Sequence, residues 1–595
     1  MKKLLSFLIV PALLLAMIPC AFAQESTGMD STDAVEAVDA AEANDYWIQK
    51  INSYESGHFP DVKDNDWFAK HVASAYEAGL LLGFEDGTFR PQENITIAQT
   101  ITIAARIYSK FAGDGETFTR APGEPWYKPY QTYAENKGII ARNEFGNVNA
   151  NSTRRSVSTI LANSLPVDQF PVINNIKDGE LYDVALGTYF TGRVYRLYRA
   201  GVLTGRDECG RFDAEYLTTR AEVSALINRI VYADQRVSFS PKQPDPETLA
   251  IYRILSKMTT QDKIQQLFIL TPEALVNSSS HVTSAGSAMK SALKNHPVGG
   301  ILFYAANLRT PSQTKSMLSS FTSYAKEIEG MPLFLCVDEE GGRVARIANN
   351  SAFGVRNVGA MQNIGDIKTA YNAGSYIGSY LKNLGFNMDL APVADVLTVS
   401  GNTDINDRSF GRDAQSVSAL AAAVSKGLQS QGIMSTYKHF PDNGATAVDT
   451  HQSFAYTGKS LAELKKNELI PFMSAQQNGV DTVMVAHISA PGVTGNNTPS
   501  SLSKVMITDV LRGQFGYTGL VMTDSLSMGA IVKYYGTADA AVMAVEAGAD
   551  LLLKPEDFQT ALWGVTAAVN RGDITNERLD QSVTRIIRAK LKMAG

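Results

Sequence analysis

The sequence predicts an α/β protein: a (β/α)8 barrel catalytic domain preceded by three mainly helical repeats. Three observations carry this. Eight apolar runs follow residue 248, and helical patterns such as Ser416–Gln431 and Ala538–Ala547 lie between most of them. An internal repeat of about 60 residues precedes them. The polar residues of interest, Asp338, His439, His487 and Asp524, fall at the C-terminal ends of the apolar runs, where a barrel builds its active site.

From the N-terminus, Lys2-Lys3, the apolar run Leu4 to Cys20 and Ala21-Phe22-Ala23 form a basic, apolar and A-x-A pattern. Residues 1–23 are therefore expected to be a signal peptide, and the mature protein to be exported and soluble. Pro19 before Cys20 argues against a lipoprotein. Residues 24–55 read as an acidic, low-complexity spacer. No later segment has the ~20 apolar residues that span a bilayer.

The first repeat, 56–112, has Phe59-Pro60-Asp61-Val62, Trp67-Phe68, Ala78-Gly79-Leu80 and Asp86-Gly87-Thr88-Phe89-Arg90-Pro91, then Thr96-Ile97-Ala98-Gln99. The second, 120–170, keeps Trp126-Tyr127, Lys137-Gly138-Ile139-Ile140 and Thr153-Arg154-Arg155-Ser156. The third, 175–236, keeps Ala200-Gly201-Val202-Leu203-Thr204-Gly205, Gly210-Arg211-Phe212 and Thr219-Arg220-Ala221-Glu222. Each reads as a helix closed by Gly, a short loop and a Thr N-cap opening a second helix. Thr219 with Glu222 fits a capping box. Residues 237–247, with Pro241, Pro244 and Pro246, read as a stiff linker. The last domain, 248–595, has strands expected within Gln265–Leu270, Val298–Tyr304, Leu333–Asp338, Asn387–Val393, Met434–His439, Thr482–His487, Leu520–Asp524 and Asp550–Lys554. An open doubly wound sheet is the alternative.

The net charge of −6 offers no basic excess for nucleic acid. After signal cleavage only Cys209 and Cys336 remain, in different domains, too few for a disulfide framework or a thiol metal site. No metal or organic cofactor is implied.

The richest stretch runs from Lys438-His439-Phe440-Pro441 to Asp449-Thr450-His451. It reads as a loop leaving a strand, and it sets a carboxylate two residues from an imidazole. Such a carboxylate holds one tautomer and stabilises the imidazolium, giving a proton donor and acceptor near neutral pH. The stretch resembles the Lys-His-(Phe/Ile)-Pro-Gly-x-Gly-x4-Asp-(Ser/Thr)-His loop of the β-N-acetylglucosaminidases of glycoside hydrolase family 3. That resemblance covers essentially all of residues 250–595. It implies Asp524, in Val521-Met522-Thr523-Asp524-Ser525, as the nucleophile, and His451, oriented by Asp449, as acid/base. It also implies Asp338 and Arg346, in Val337-Asp338-Glu339-Glu340-Gly341-Gly342-Arg343-Val344-Ala345-Arg346, as sugar contacts. Arg408, in Asp407-Arg408-Ser409-Phe410-Gly411, and the pair Lys438 and His439 are further contacts. His487 is expected to be a hydrogen-bonded strand histidine. The family commonly has Pro-Gly-His-Gly-Asp where this chain has Pro441-Asp442-Asn443-Gly444-Ala445, so Asp442 is expected to stiffen the loop.

The repeats resemble surface-layer homology modules, which hold exported proteins to secondary polymers of the bacterial cell wall. The full Thr-Arg-Ala-Glu signature stands only in the third, so Arg220 is the candidate polymer contact. Together these imply a secreted, wall-associated exo-β-N-acetylglucosaminidase acting on peptidoglycan fragments or chito-oligosaccharides. β-Glucosidases of the family usually carry a second α/β domain, which favours the hexosaminidase branch here. A β-glucosidase or β-xylosidase, a GlcNAc phosphorylase and a non-catalytic glycan-binding protein are the alternatives.

Overall fold

The computed structural model describes residues 47–447 and 455–594. The expected signal peptide, most of the acidic spacer, and Asp449 and His451 lie outside these residues. No helix among the described residues is long and apolar enough to cross a membrane.

The N-terminal module contains three helix pairs: Ala69–Glu77 with Ile97–Ala112, Lys128–Asn136 with Arg154–Leu161, and Thr191–Arg199 with Arg220–Val231. Gly79, Gly138 and Gly201 close the first helices with φ of 67°, 72° and 70°, the left-handed geometry that glycine adopts without strain. Thr96, Thr153 and Thr219 cap the second helices by accepting the N–H groups of Gln99, Ser156 and Glu222. Gln99 completes a capping box as Glu222 does, so its departure from Glu costs the cap nothing.

The segments before these caps tie the three pairs together. Ile95 N–H donates to Thr218 O at 3.0 Å, Thr218 N–H to Ser152 O at 3.0 Å, and Ser152 N–H to Ile95 O at 2.7 Å. This closed ring of three bonds gives the copies one shared apolar core. Arginines reinforce it. Arg220 is buried, its Nε donates to Phe89 O at 2.8 Å and its Nη2 to Leu82 O at 2.8 Å. Arg154 repeats the contact with Phe212 O at 2.7 Å.

The Pro-rich stretch does not hang between the modules. Val237 N–H donates to Gly201 O, Phe239 N–H to Asn174 Oδ1, and Lys242 pairs with Glu208. The next helix, Pro246–Leu255, starts on Asp245 as N-cap.

The C-terminal α/β domain is built on eight parallel strands: β1 Phe268–Leu270, β2 Gly300–Leu302, β3 Phe334–Val337, β4 Met388–Asp389, β5 Thr436–Phe440, β6 Thr482–Val485, β7 Leu520–Thr523 and β8 Leu552–Leu553. Seven lie inside an apolar run expected from the sequence, and β5 extends one residue beyond its run, to Phe440. All their residues are buried, as parallel strands covered on both faces must be. Pairing runs β8-β1-β2-β3-β4 in one sheet and β5-β6-β7 in another. Parallel bridges Met388↔Met434, Val393↔Lys438 and Met522↔Leu551 join the edges of the two. A short antiparallel pair, Glu339–Gly341 with Val344–Ala345, follows β3.

The two modules meet opposite the strand C-termini. Asn94 Nδ2 donates to Val569 O at 2.9 Å, and Asn576 Nδ2 to Leu217 O at 2.7 Å. Arg206 bridges Asp213 and Asp580, and Lys263 pairs with Asp580 at 3.0 Å, all with side chains at most 9% exposed.

Candidate active site

The strand C-termini open onto a cavity of about 420 Å³, within the roughly 300–1,000 Å³ of small-molecule sites. Tyr304 reaches it from beyond β2, and Asp338 from the end of β3. Glu340, Arg343 and Arg346 come from the antiparallel pair, and Lys438 and His439 from β5. Asp524 comes from β7 and Lys554 from β8. Asp404 and Arg408 enter from the long segment between β4 and β5. The expected residues Asp338, Arg346, Arg408, Lys438, His439 and Asp524 therefore converge on one cavity.

Glu340 organises the floor, a role not read from the sequence. Lys438 Nζ lies 2.6 Å from Glu340 Oε1 and 2.9 Å from Asp338 Oδ1. Arg408 grips Glu340 in a two-pronged contact, Nε to Oε2 and Nη2 to Oε1, both 2.8 Å, and its Nη1 reaches Asp404 Oδ1 at 2.9 Å. Burial alone would raise the Glu340 carboxyl, but the Arg408 and Lys438 charges outweigh it and hold it well below the usual range. Burial likewise works against the Lys438 ammonium, and Asp338 and Glu340 overcome it and raise its proton affinity. Arg346 Nη2 stands 3.6 Å from Asp338 Oδ2, while its buried Nε has no hydrogen-bond partner in the structure. Asp338 thus sits between two cations, with carboxylate oxygens at the cavity wall.

His439 is set by Asp395, also missed, which lies two residues beyond the expected strand end at Val393. Nδ1 is 2.6 Å from Asp395 Oδ2. Burial would raise Asp395, but the His439 charge and hydrogen bonds hold it down, so Nδ1 carries the proton and Nε2 is left for the cavity.

Asp524 is half-buried. Its Oδ1 accepts the Ser525 N–H at 2.7 Å, and its own N–H donates to Val485 O at 2.9 Å. It does not cap the following helix, Gly529–Val532, whose N-cap is Met528. Lys554 Nζ donates to Ser527 Oγ at 2.8 Å beside it. His487 is buried outside the cavity: Nε2 donates to Ser525 O at 2.8 Å and Nδ1 accepts from Ser501 Oγ at 2.7 Å. Tyr304 and Lys554 gave no sequence signal, because neither belongs to a motif.

In the N-terminal module Arg220 lines a small cleft with Gln99, Arg106 and Trp126. Most of its guanidinium is spent inside the protein, on two carbonyls and the faces of Phe84 and Phe89. Its first role is to join the third copy to the first.

Known proteins resemble both parts of the chain. The model of the glycosyl hydrolase family 3 N-terminal domain matches residues 259–589, and that of the S-layer homology domain matches 58–101. The β-hexosaminidase of Nitrosomonas eutropha is 31% identical over 305 residues, covering 49% of this chain and 84% of that protein. The β-hexosaminidase A of Pseudoalteromonas piscicida is 30% identical over 339 residues, covering 52% of this chain and only 56% of that longer protein. Among solved structures, a glycoside hydrolase family 3 β-N-acetylglucosaminidase from Paenibacillus sp. str. FPU-7 is similar with a TM-score of 0.53 and 37% identity. The match covers 57% of this chain and 63% of that one. With the family model spanning more than half of its length, this chain belongs to glycosyl hydrolase family 3.

Proposed function

We propose that the protein is a retaining exo-β-N-acetylglucosaminidase held at the cell wall, acting on terminal β-linked GlcNAc of peptidoglycan fragments or chito-oligosaccharides. One observation carries the reading: Asp524 faces a sugar-sized cavity floored by Asp338, Lys438, Glu340 and Arg408. Carboxylates and cations at this spacing bind vicinal hydroxyls, because each hydroxyl both donates and accepts. Asp524, carried on a rigid strand end, attacks the anomeric carbon and forms a glycosyl ester. His451, oriented by Asp449, protonates the departing oxygen and then activates water. Lys438 and His439, fixed by Glu340 and Asp395, hold the ring hydroxyls through both steps. The closed succession of eight parallel strands is read as a (β/α)8 barrel.

The anchoring half rests on the three helix pairs around one bonded ring, read as three S-layer homology repeats although the family model matches only the first. The cleft of Arg106, Trp126 and Arg220 then offers cations and an aromatic face to an acidic wall polymer.

The deciding assay uses the full chain with nitrophenyl glycosides of GlcNAc, GalNAc, glucose and xylose, with and without phosphate. Fastest turnover of the GlcNAc glycoside without phosphate is expected. A phosphate requirement would make it a phosphorylase. Faster glucoside or xyloside cleavage would move it to those branches, and no turnover of any would leave a glycan-binding protein.

A further inference from the structure

Asp442 stands where the resembling loops have glycine, and its backbone keeps a φ of 155° that side-chain-bearing residues rarely adopt. Its carboxyl is buried beside that of Asp395. The contact is reciprocal. Asp442 Oδ1 accepts the N–H of Val396, the residue after Asp395, at 3.1 Å, and also that of Gly444 at 2.8 Å. Asp395 Oδ1 accepts the N–H of Asn443, the residue after Asp442, at 2.7 Å, and that of His439 at 3.1 Å. Asp442 Oδ2 is buried and accepts from no donor. The packing leaves no slack: a Cβ on Gly444 would stand 2.2 Å from Val396 O.

Two touching, fully buried carboxylates cannot both ionise. Asp395 is the one held as the anion, because His439 and two backbone N–H groups face it. Asp442 is instead faced by Asp395 and by the charge of Glu468, whose partner is Lys459, while the Arg408 charge acts with Asp395. Burial and then the Asp395 charge push the Asp442 carboxyl well above the usual range.

We propose that Asp442 is a positioning residue that keeps its proton at neutral pH and donates it from Oδ2 to Asp395, clamping the loop after β5 to the end of β4. The clamp fixes His439 and sets where the chain running on to Asp449 and His451 begins. No atom is transferred: the proton stays on Asp442 and is shared as a hydrogen bond.

The test compares D442N, which keeps a donor on the same frame, with D442A, which removes it at the same backbone angle. Both are made in the full chain. The wild-type minus D442N infrared difference spectrum should show the C=O band of a protonated carboxyl at neutral pH. D442N should keep kcat/KM within about threefold, while D442A falls about tenfold or more, since a shift of about 1 Å at a reacting group can cost a hundredfold. Activity of D442N should also hold at alkaline pH where the wild type declines. If no such band is present, or if Asn and Ala lose activity alike, the proposal is overturned. If D442A does not fold, the band and the D442N pH profile decide alone. The kinetic arm rests on the proposed glycosidase reading. Wild-type inactivity on every glycoside would sink that reading, while the band would still decide the proton on Asp442.

Discussion

Two charge clusters of similar make-up stand on opposite sides of the α/β domain. At the strand C-termini, Arg346, Arg408 and Lys438 face Asp338, Glu340 and Asp404. Between the modules, Arg206, Arg211 and Lys263 face Asp207, Asp213 and Asp580. Each sets three cations against three carboxylates. The first lines a cavity, and one edge, Arg346 Nε, has no partner in the structure. The second lines a cleft between the modules, under Tyr216 and Tyr252, and there too buried atoms, Arg211 Nε and Asp213 Oδ1, lack a hydrogen-bond partner. Composition does not separate a binding site from an interface. What separates them is place: only the first stands at the strand C-termini, in one cavity with Asp524 and His439.

The largest expected effect lies beside the first cluster, in the same cavity. Asp524→Asn should lower kcat by about three orders of magnitude or more, because it removes the covalent step, while the fold is kept since the amide oxygen still accepts the Ser525 N–H. A fluorinated GlcNAc trap with peptide mass spectrometry should place the label on Asp524, and a label on another carboxylate would reject the assignment.

Next come paired changes that test the comparison itself. Glu340→Gln removes one of the two carboxylates that face each of Arg408 and Lys438, and Asp580→Asn does the same for Lys263 and Arg206. Breaking a buried pair costs about 3–5 kcal/mol, so both variants should unfold at lower denaturant. Only Glu340→Gln should also cut kcat/KM, by about a hundredfold, through displaced Lys438 and Arg408. Equal kinetic losses in both would erase the distinction between the clusters.

The pH dependence sharpens it further. Burial would raise Asp580, but Lys263, Arg206 and Arg211 together hold it below its unfolded value. Its contribution is therefore present above the unfolded carboxylate pKa of about 3.9 and is lost as pH falls below that. The stability gap between wild type and Asp580→Asn should narrow as the medium is acidified through that range. A gap that widens would contradict the charge assignment.

The smallest effect concerns anchoring. Arg106→Ala or Trp126→Ala should weaken co-sedimentation with polymer-bearing sacculi by about tenfold, the order of one hydrogen bond or ring contact, with a smaller loss of Tm than Arg220→Ala. Arg220→Ala should lower Tm as well, since it loses two buried carbonyl contacts. Unaltered binding in the first two variants would remove the cleft from the proposal.

The sequence by itself determined the local elements. Thr caps, Gly closures and eight apolar runs were legible because caps and periodicity act within a few residues. The residues at strand ends were legible through motifs: Asp338, Arg346, Arg408, Lys438, His439 and Asp524 all reached one cavity. Tertiary structure decided what those residues do to each other. Glu340 was quoted within a motif, yet its place between Lys438 and Arg408 depends on chain segments 68 and 98 residues away in sequence meeting at one point. Asp395 and Asp442 became a clamp only because two strand ends lie side by side. Arg220 looked like a surface contact and proved to be a staple between repeats, since burial is set by what packs on top of a helix and not by the helix. Periodicity fixes which face of an element is apolar, but long-range packing alone fixes which buried charges share a partner.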